Sequence, residues 1–207
     1  MLKIYGRANS SNVRKVTWVV DELGLPFERT DWGRGFRSTD EPEFKRLSAF
    51  GVVPVVDIDG FILRESNTIT RYLCARARRD DLYPTDLKAR ALVEAWMDWG
   101  SSDLYAGVRP VFMGLVVKNP AFMDPAIIAA GAAEWTRQMQ RLNDELAANG
   151  PYLAGANLTL ADVPTGIVVN RWYAIPFEKP ALPHVNAYYD LLGQRPAYQQ
   201  HVRNGTP

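Results

Sequence analysis

The stretch Gly51-Val52-Val53-Pro54-Val55-Val56 constrains this chain more than any other. Its β-branched residues favour a strand. Its proline has no amide to give to a ladder and is excluded from strand centres. The two tendencies agree if Pro54 opens a strand and the Val53–Pro54 bond is cis, a form that costs an X-Pro bond only about 0.5–1 kcal/mol. A cis bond there turns the Val53 carbonyl and amide away from the ladder, leaving a donor and an acceptor suited to an extended peptide added as a further strand. Asp59-Gly60 follows between two apolar runs, a strong hairpin signal. Glu65-Ser66 then opens a helical pattern through Ile69 and Leu73, with Ser66 as a cap. A helix N-terminus suits a carboxylate. A peptide-pairing edge, a hairpin and an anion site therefore fall within one short segment.

Elements before it fall into a pattern. Leu2-Lys3-Ile4-Tyr5 alternates as a short strand. After a polar loop ending in Ser10-Ser11-Asn12, apolar Val13, Val16, Val19, Val20 and Leu23 form a helical stripe, stopped by Gly24 and Pro26. Phe27 to Trp32 reads as a second strand, parallel to the first across a βαβ unit. Glu41 to Phe50 reads as a short helix. The first part is thus β-α-β-α-β-β-α. The charged, proline-broken segment Arg78 to Asp86 marks a boundary. Beyond it the spacing predicts helices only: Leu87 to Val117, bent at Pro110; Pro125 to Asn149; a helix opened by Leu158-Thr159-Leu160-Ala161-Asp162, where Thr159 and Asp162 form a capping-box pattern; Leu182 to Leu192; and Ala197 to Val202. The expected fold class is α/β followed by all-α, with residues 1–79 as one domain and 87–207 as the helical one.

Composition excludes several classes of function. A net charge of +1 gives no basic surface for nucleic acid or an anionic membrane. One cysteine rules out an internal disulfide framework and any paired-cysteine redox or zinc site, and no metal-ligating cluster is visible. No apolar run reaches the roughly 18 residues of a membrane span, and Met-Leu-Lys-Ile-Tyr-Gly lacks a signal-peptide core. The expectation is a cytoplasmic protein with no membrane or nucleic-acid partner.

In order and residues, nearly the whole chain resembles a cytosolic-type glutathione transferase, of the bacterial theta-, phi- or nu-like serine or asparagine type. Val53-Pro54 matches that family's cis-proline position. Glu65-Ser66 is similar to the pair that holds the γ-glutamyl end of glutathione. Tyr152-Leu153-Ala154-Gly155 and Leu158-Thr159-Leu160-Ala161-Asp162-Val163 are similar to its buried helical motif, which gives Asp162 a structural role. Val52 departs from the Lys, Arg or Gln common there, and Ala49-Phe50 from Asn-Pro. The resemblance implies a thioredoxin-like N-terminal domain, an all-helical second domain that contributes the electrophile pocket, glutathione as co-substrate without a metal, and a homodimer. Glutathione-binding residues are then Val53, Pro54, Glu65 and Ser66. The electrophile pocket draws on Arg7, Trp99, Tyr105, Arg109 and Phe112.

The implied reaction is attack by the glutathione thiolate on a small hydrophobic electrophile. A free thiol has a pKa of about 8.5. Lowering it by two units takes roughly 2.7 kcal/mol of preference for the thiolate. One hydroxyl donor to an anion supplies about 1.5–3 kcal/mol, and a helix N-terminus about 0.3–1 kcal/mol. A single donor at the start of the first helix is therefore sufficient. Ser10 stands four residues before Arg14, the spacing of the catalytic serine in theta- and phi-like members. Asn12 matches the asparagine of nu-like members, which favour disulfide chemistry. Ser11 is the third candidate, and any one of the three also suits the helix cap. A glutathione-dependent disulfide or peroxide reductase and a non-enzymatic interaction module of the same fold are the alternative functions.

Overall fold

Eight consecutive residues, Val13 to Val20, are buried in the first helix. A helix buried all round must lie between two layers. In the computed structural model, which describes residues 1–207, this helix, α1 (Ser11–Glu22), has a mixed sheet on one side. The strands are β1 (Leu2–Tyr5), β2 (Phe27–Thr30), β3 (Val55–Ile58) and β4 (Phe61–Arg64), in the order β2-β1-β3-β4. β1 and β2 run parallel, with Leu2 opposite Phe27. β3 is antiparallel to β1, with Ile4 opposite Val56, and β4 is antiparallel to β3. This is the thioredoxin-like arrangement. Two further helices complete it, α2 (Pro42–Leu47) and α3 (Ser66–Arg76).

The sheet has a core on each face. Leu2, Ile4, Val56 and Ile58 meet Val13, Val16 and Val20 of α1 and Ile69 and Leu73 of α3. On the other face Trp32, Phe44 and Val55 pack together, with Tyr5 and Val53 against them. Cys74, on α3, is fully buried; burial pushes its thiol up to about 12.

The chain forms two compact units, Met1–Tyr83 with Pro196–Thr206, and Pro84–Arg195. The expected 87–207 helical domain thus gives up its last helix. Trp18 explains the difference. It is fully buried on α1, on a side the sheet does not cover, and its ring meets Tyr198 edge-on at 4.8 Å. Tyr198 belongs to α9 (Pro196–His201). His201 of α9 pairs with Asp21 of α1.

The second unit contains α4 (Leu87–Ser101), α5 (Asp103–Val111), α6 (Pro125–Asn149), α7 (Asp162–Ala174) and α8 (Pro183–Leu192). The long helix expected over Leu87 to Val117 breaks at Ser102 rather than at Pro110. Gly100-Ser101-Ser102 are weak helix formers. The Ser102 hydroxyl donates to the Asp98 carbonyl at 2.7 Å, and its backbone turns to φ −113°, ψ −88°. Pro110 is accommodated inside α5, and the next turn, Phe112–Val116, widens into a π-helix. α5 and α6 cross at van der Waals distance because glycines line the crossing. A Cβ on Gly107 would lie 2.4 Å from the Trp135 amide nitrogen, and one on Gly131 would lie 2.5 Å from Pro110.

α7 is buried over Asp162 to Trp172 and forms the centre of this unit. At its start the Asp162 carboxylate accepts from the Leu153 and Thr159 amides, at 3.0 and 2.9 Å, and from the Tyr188 hydroxyl at 3.0 Å. No helix is long and apolar enough to cross a membrane.

Candidate active site

Three segments of the first unit meet at one end of the central strands. They are the loop between β1 and α1, the turn before β3, and the junction of β4 with α3. Gly6 makes the first approach possible: its φ is +152°, and a Cβ there would lie 2.6 Å from Val13 and 3.0 Å from the Val53 Cβ. The Gly6 amide donates to the Thr30 carbonyl and the Arg7 amide to that of Trp32, which extends the β1–β2 pairing into the loop. The Arg7 guanidinium then lies over Gly33, within 2.9 Å of where a Cβ would stand, with Val53 beside the same glycine. The Val53–Pro54 bond is cis, as expected. Val53 precedes the ladder, which begins at Val55.

Ser10 occupies the N-cap position of α1 and is 8% exposed. A serine there ordinarily accepts from an amide of the first turn. Here the hydroxyl makes no capping bond. Ser10 is instead held by its backbone: its amide donates to the Arg7 carbonyl at 3.1 Å, and its carbonyl accepts from the Arg14 amide at 2.9 Å. Ser11, the first helical residue, is 9% exposed. Asn12 is exposed, and its side-chain carbonyl accepts from the Ser66 hydroxyl at 3.3 Å. That bond joins the N-terminal turns of α1 and α3.

At that junction Glu65, rather than Ser66, is the N-cap of α3, and Ser66 is the first helical residue. Glu65 has φ +70°, ψ +108°. A non-glycine residue there is strained by about 1–3 kcal/mol, and such outliers cluster at functional sites. The strained backbone projects an exposed carboxylate whose one hydrogen-bonding neighbour is Arg64, at 3.1 Å. An exposed carboxylate therefore stands beside the buried Ser66 hydroxyl and the first turn of an eleven-residue helix. Such a group can hold an ammonium and a carboxylate side by side. The loop residue Arg37, the obvious cation nearby, is already engaged by Glu41 and Glu43, which hold its pKa up, and stacks on Trp32 with the guanidinium carbon 4.0 Å from the ring centroid.

In the second unit the expected pocket residues divide. Tyr105 and Phe112 come together around Arg171, a residue that the sequence pattern alone did not bring forward. The Arg171 guanidinium donates to the Tyr105 hydroxyl at 3.2 Å and lies 3.8 Å above the Phe112 ring. Arg171 is 3% exposed, the one charge in the largely apolar, fully buried stretch Ile167 to Trp172; that lone charge was the signal. Arg109 is exposed and stands over Phe122. Trp99 instead pairs with Trp96 and lines a separate cavity of about 340 Å³ with Arg141, Leu142 and Glu145.

Residues 9–76 match the model of the glutathione S-transferase N-terminal domain. The chain is 32% identical to glutathione S-transferase GstB of Escherichia coli over 98% of both proteins. It belongs to the glutathione S-transferase family. Glutathione S-transferase 3 of Zea mays is 31% identical, covering 97% of this chain and 93% of the maize protein. A theta-class glutathione S-transferase from Xanthomonas axonopodis pv. citri, solved with glutathione bound, superposes with a TM-score of 0.91 at 39% identity over 97% of this chain and 96% of that one. The fold of this glutathione S-transferase is therefore the family's own, from the first strand to the last helix.

Proposed function

We propose that this glutathione transferase uses the Ser10 hydroxyl to hold the glutathione thiolate for conjugation to small hydrophobic electrophiles. One observation carries the assignment: Ser10 sits at the cap of α1, and its hydroxyl is not spent on the helix. With no first-turn amide fixing its oxygen, the Ser10 hydroxyl can rotate to donate its proton to an anion, worth about 1.5–3 kcal/mol, and the amides of the first turn add the field of the helix end. Glutathione lies extended, its main chain paired with Val53 beside Pro54. Its γ-glutamyl carboxylate meets the Ser66 amide and hydroxyl, and its ammonium meets Glu65. The helical unit contributes the electrophile pocket, with Tyr105, Phe112 and Arg171 at its polar end. Because the Tyr105 oxygen accepts from Arg171, its own proton is left to donate to an electrophile oxygen.

Asn12 supports a second reading, glutathione-dependent disulfide or peroxide reduction. Its carbonyl is held by Ser66, which leaves its amide N–H groups to donate to sulfur. The two readings separate on a panel of aryl halides, hydroperoxides and mixed disulfides assayed with Ser10→Ala and Asn12→Ala. Ser10→Ala losing conjugation while glutathione binding persists supports the first. Asn12→Ala doing so in its place overturns it. Failure of the protein to bind immobilised glutathione points to an interaction module.

The protein acts as a cytoplasmic homodimer. Phe50, Phe61, Ile62 and Tyr72 of the first unit are exposed at 64, 48, 37 and 36%, and Leu87 and Leu92 of the second at 77 and 66%. Large apolar side chains exposed on two faces support a contact between the N-terminal unit of one subunit and the first long helix of the other.

A further inference from the structure

Arg14 is a cation on the first helix, yet it is 2% exposed. A guanidinium removed from water must have its N–H groups satisfied by protein acceptors. The acceptors here lie at opposite ends of the sequence. Nε donates to the Ala8 carbonyl at 3.3 Å, and Nη1 donates to the Thr206 carbonyl at 3.0 Å. Nη2 donates to the Thr206 hydroxyl. Thr206 is fixed in turn. Its amide and hydroxyl both donate to the Asn204 side chain, at 3.4 and 2.8 Å, and the Asn204 amide group donates to the Gln200 carbonyl of α9 at 3.3 Å.

Ala8 is not an arbitrary target. It lies inside the turn closed by the Ser10 amide and the Arg7 carbonyl. The orientation of the Ala8 carbonyl is part of what points the Ser10 side chain. One guanidinium therefore fixes that turn at one end and the last residues of the chain at the other. Its planar fork suits the task, since its N–H groups sit on three separate nitrogens in fixed directions; the three donors of a lysine ammonium share one nitrogen and cannot reach both ends in that geometry.

We propose that Arg14 is a positioning residue for the Ser10 hydroxyl, and that the C-terminal segment, through Thr206, holds Arg14 in that role. The inference rests on Ser10 being the donor to the thiolate. A donor hydroxyl must lie within about 0.5 Å of its productive place to keep its effect, so a loosened turn weakens thiolate stabilisation before it weakens glutathione binding.

The test uses full-length variants: Arg14→Lys, Thr206→Val, the double variant Asn204→Ala/Thr206→Val, Ser10→Ala, and Ser10→Ala combined with Arg14→Lys. The readouts are the pH dependence of conjugation and the ultraviolet titration of thiolate in the glutathione-bound protein. Arg14→Lys and the Asn204/Thr206 double variant are expected to slow conjugation at pH 6.5 by roughly three- to tenfold and move the thiol titration up by about half to one pH unit. The KM for glutathione should stay within about twofold, and Thr206→Val should show a smaller shift of the same sign. In the Ser10→Ala background, Arg14→Lys should add no further shift, because both changes remove one interaction. If Ser10→Ala raises the titration while the Arg14 and Asn204/Thr206 variants leave it unmoved, the positioning role is refuted and Ser10 stands. If Ser10→Ala leaves the titration unmoved, both proposals fall, whatever the other variants do. Should Arg14→Lys fail to fold, the Asn204/Thr206 variant, which changes only exposed residues of the tail, tests the same linkage with the same two outcomes.

Discussion

The proposed thiolate donor is one of three adjacent side chains at the start of α1. All three have the right chemistry, and their spacing does not separate them. The proposed choice of Ser10 rests on its place at the cap of α1 with no bond to the helix, whereas Asn12 is tied to Ser66 through its carbonyl. Ser10→Ala is expected to raise the pKa of bound thiol by about one to two units and to reduce conjugation near neutral pH by roughly 10- to 100-fold. Asn12→Ala is expected to reduce it by less than about threefold while weakening the link to α3. Steady-state rates across pH 5.5–9 with a thiolate-limited aryl halide check both. Gly6 is the residue on which this geometry depends. Its positive φ and the 2.6 Å approach to Val13 leave no place for a methyl group. Gly6→Ala should destabilise the fold by about 2 kcal/mol or more and raise the KM for glutathione, as urea unfolding and steady-state kinetics would show.

The thioredoxin-like elements were readable at the level of secondary structure because each carries its own punctuation. Valine spacing marks α1, Gly24 and Pro26 end it, and Asp59-Gly60 closes the β3–β4 hairpin. The helical unit was less readable where packing overrides local preference. Pro110 lies inside α5 because its ring fills the space left by Gly131, whereas the break falls at Ser102. Gly107→Ala should therefore cost about 3 kcal/mol or more, since a Cβ would meet the backbone of Trp135, which cannot rotate aside. Asp162 gives a pH signature to the same unit. Burial pushes its carboxyl up to about 6, against the downward pull of the donors from Leu153, Thr159 and Tyr188. Between its ordinary value of 3.8 and about 6, the folded state keeps a proton that the unfolded chain has lost. Stability from this group therefore falls as pH rises through that window and is level above it. Asp162→Asn should abolish that slope. It should also cost about 2–4 kcal/mol overall, because an amide group would face a backbone donor. Urea titrations of both proteins from pH 4 to 7 would show the two effects.

At the scale of the whole molecule, the C-terminal segment was the part sequence could not assign. Six helical residues after a proline look like a continuation of the helical array. Only Trp18, a bulky side chain on a face of α1 away from the sheet, hinted that α1 needs a second cover. The role of Arg14 was not legible because a buried cation looks like a surface one until its acceptors are known; Arg171 alone was marked, by its apolar neighbours. The proposed homodimer should sediment at twice the 23.3 kDa chain mass. Leu87→Asp combined with Leu92→Asp should return the single-chain mass without unfolding either unit, since both side chains are exposed in the monomer. Cys74 bears on how any such molecule lives beside its co-substrate. Its sulfur is sealed in the core, and burial pushes its pKa up to about 12, so at neutral pH it stays protonated. An enzyme that gathers electrophiles and oxidised thiols beside its own chain thus offers them no competing thiol, and mixed-disulfide capture of its own cysteine does not drain it as it turns over.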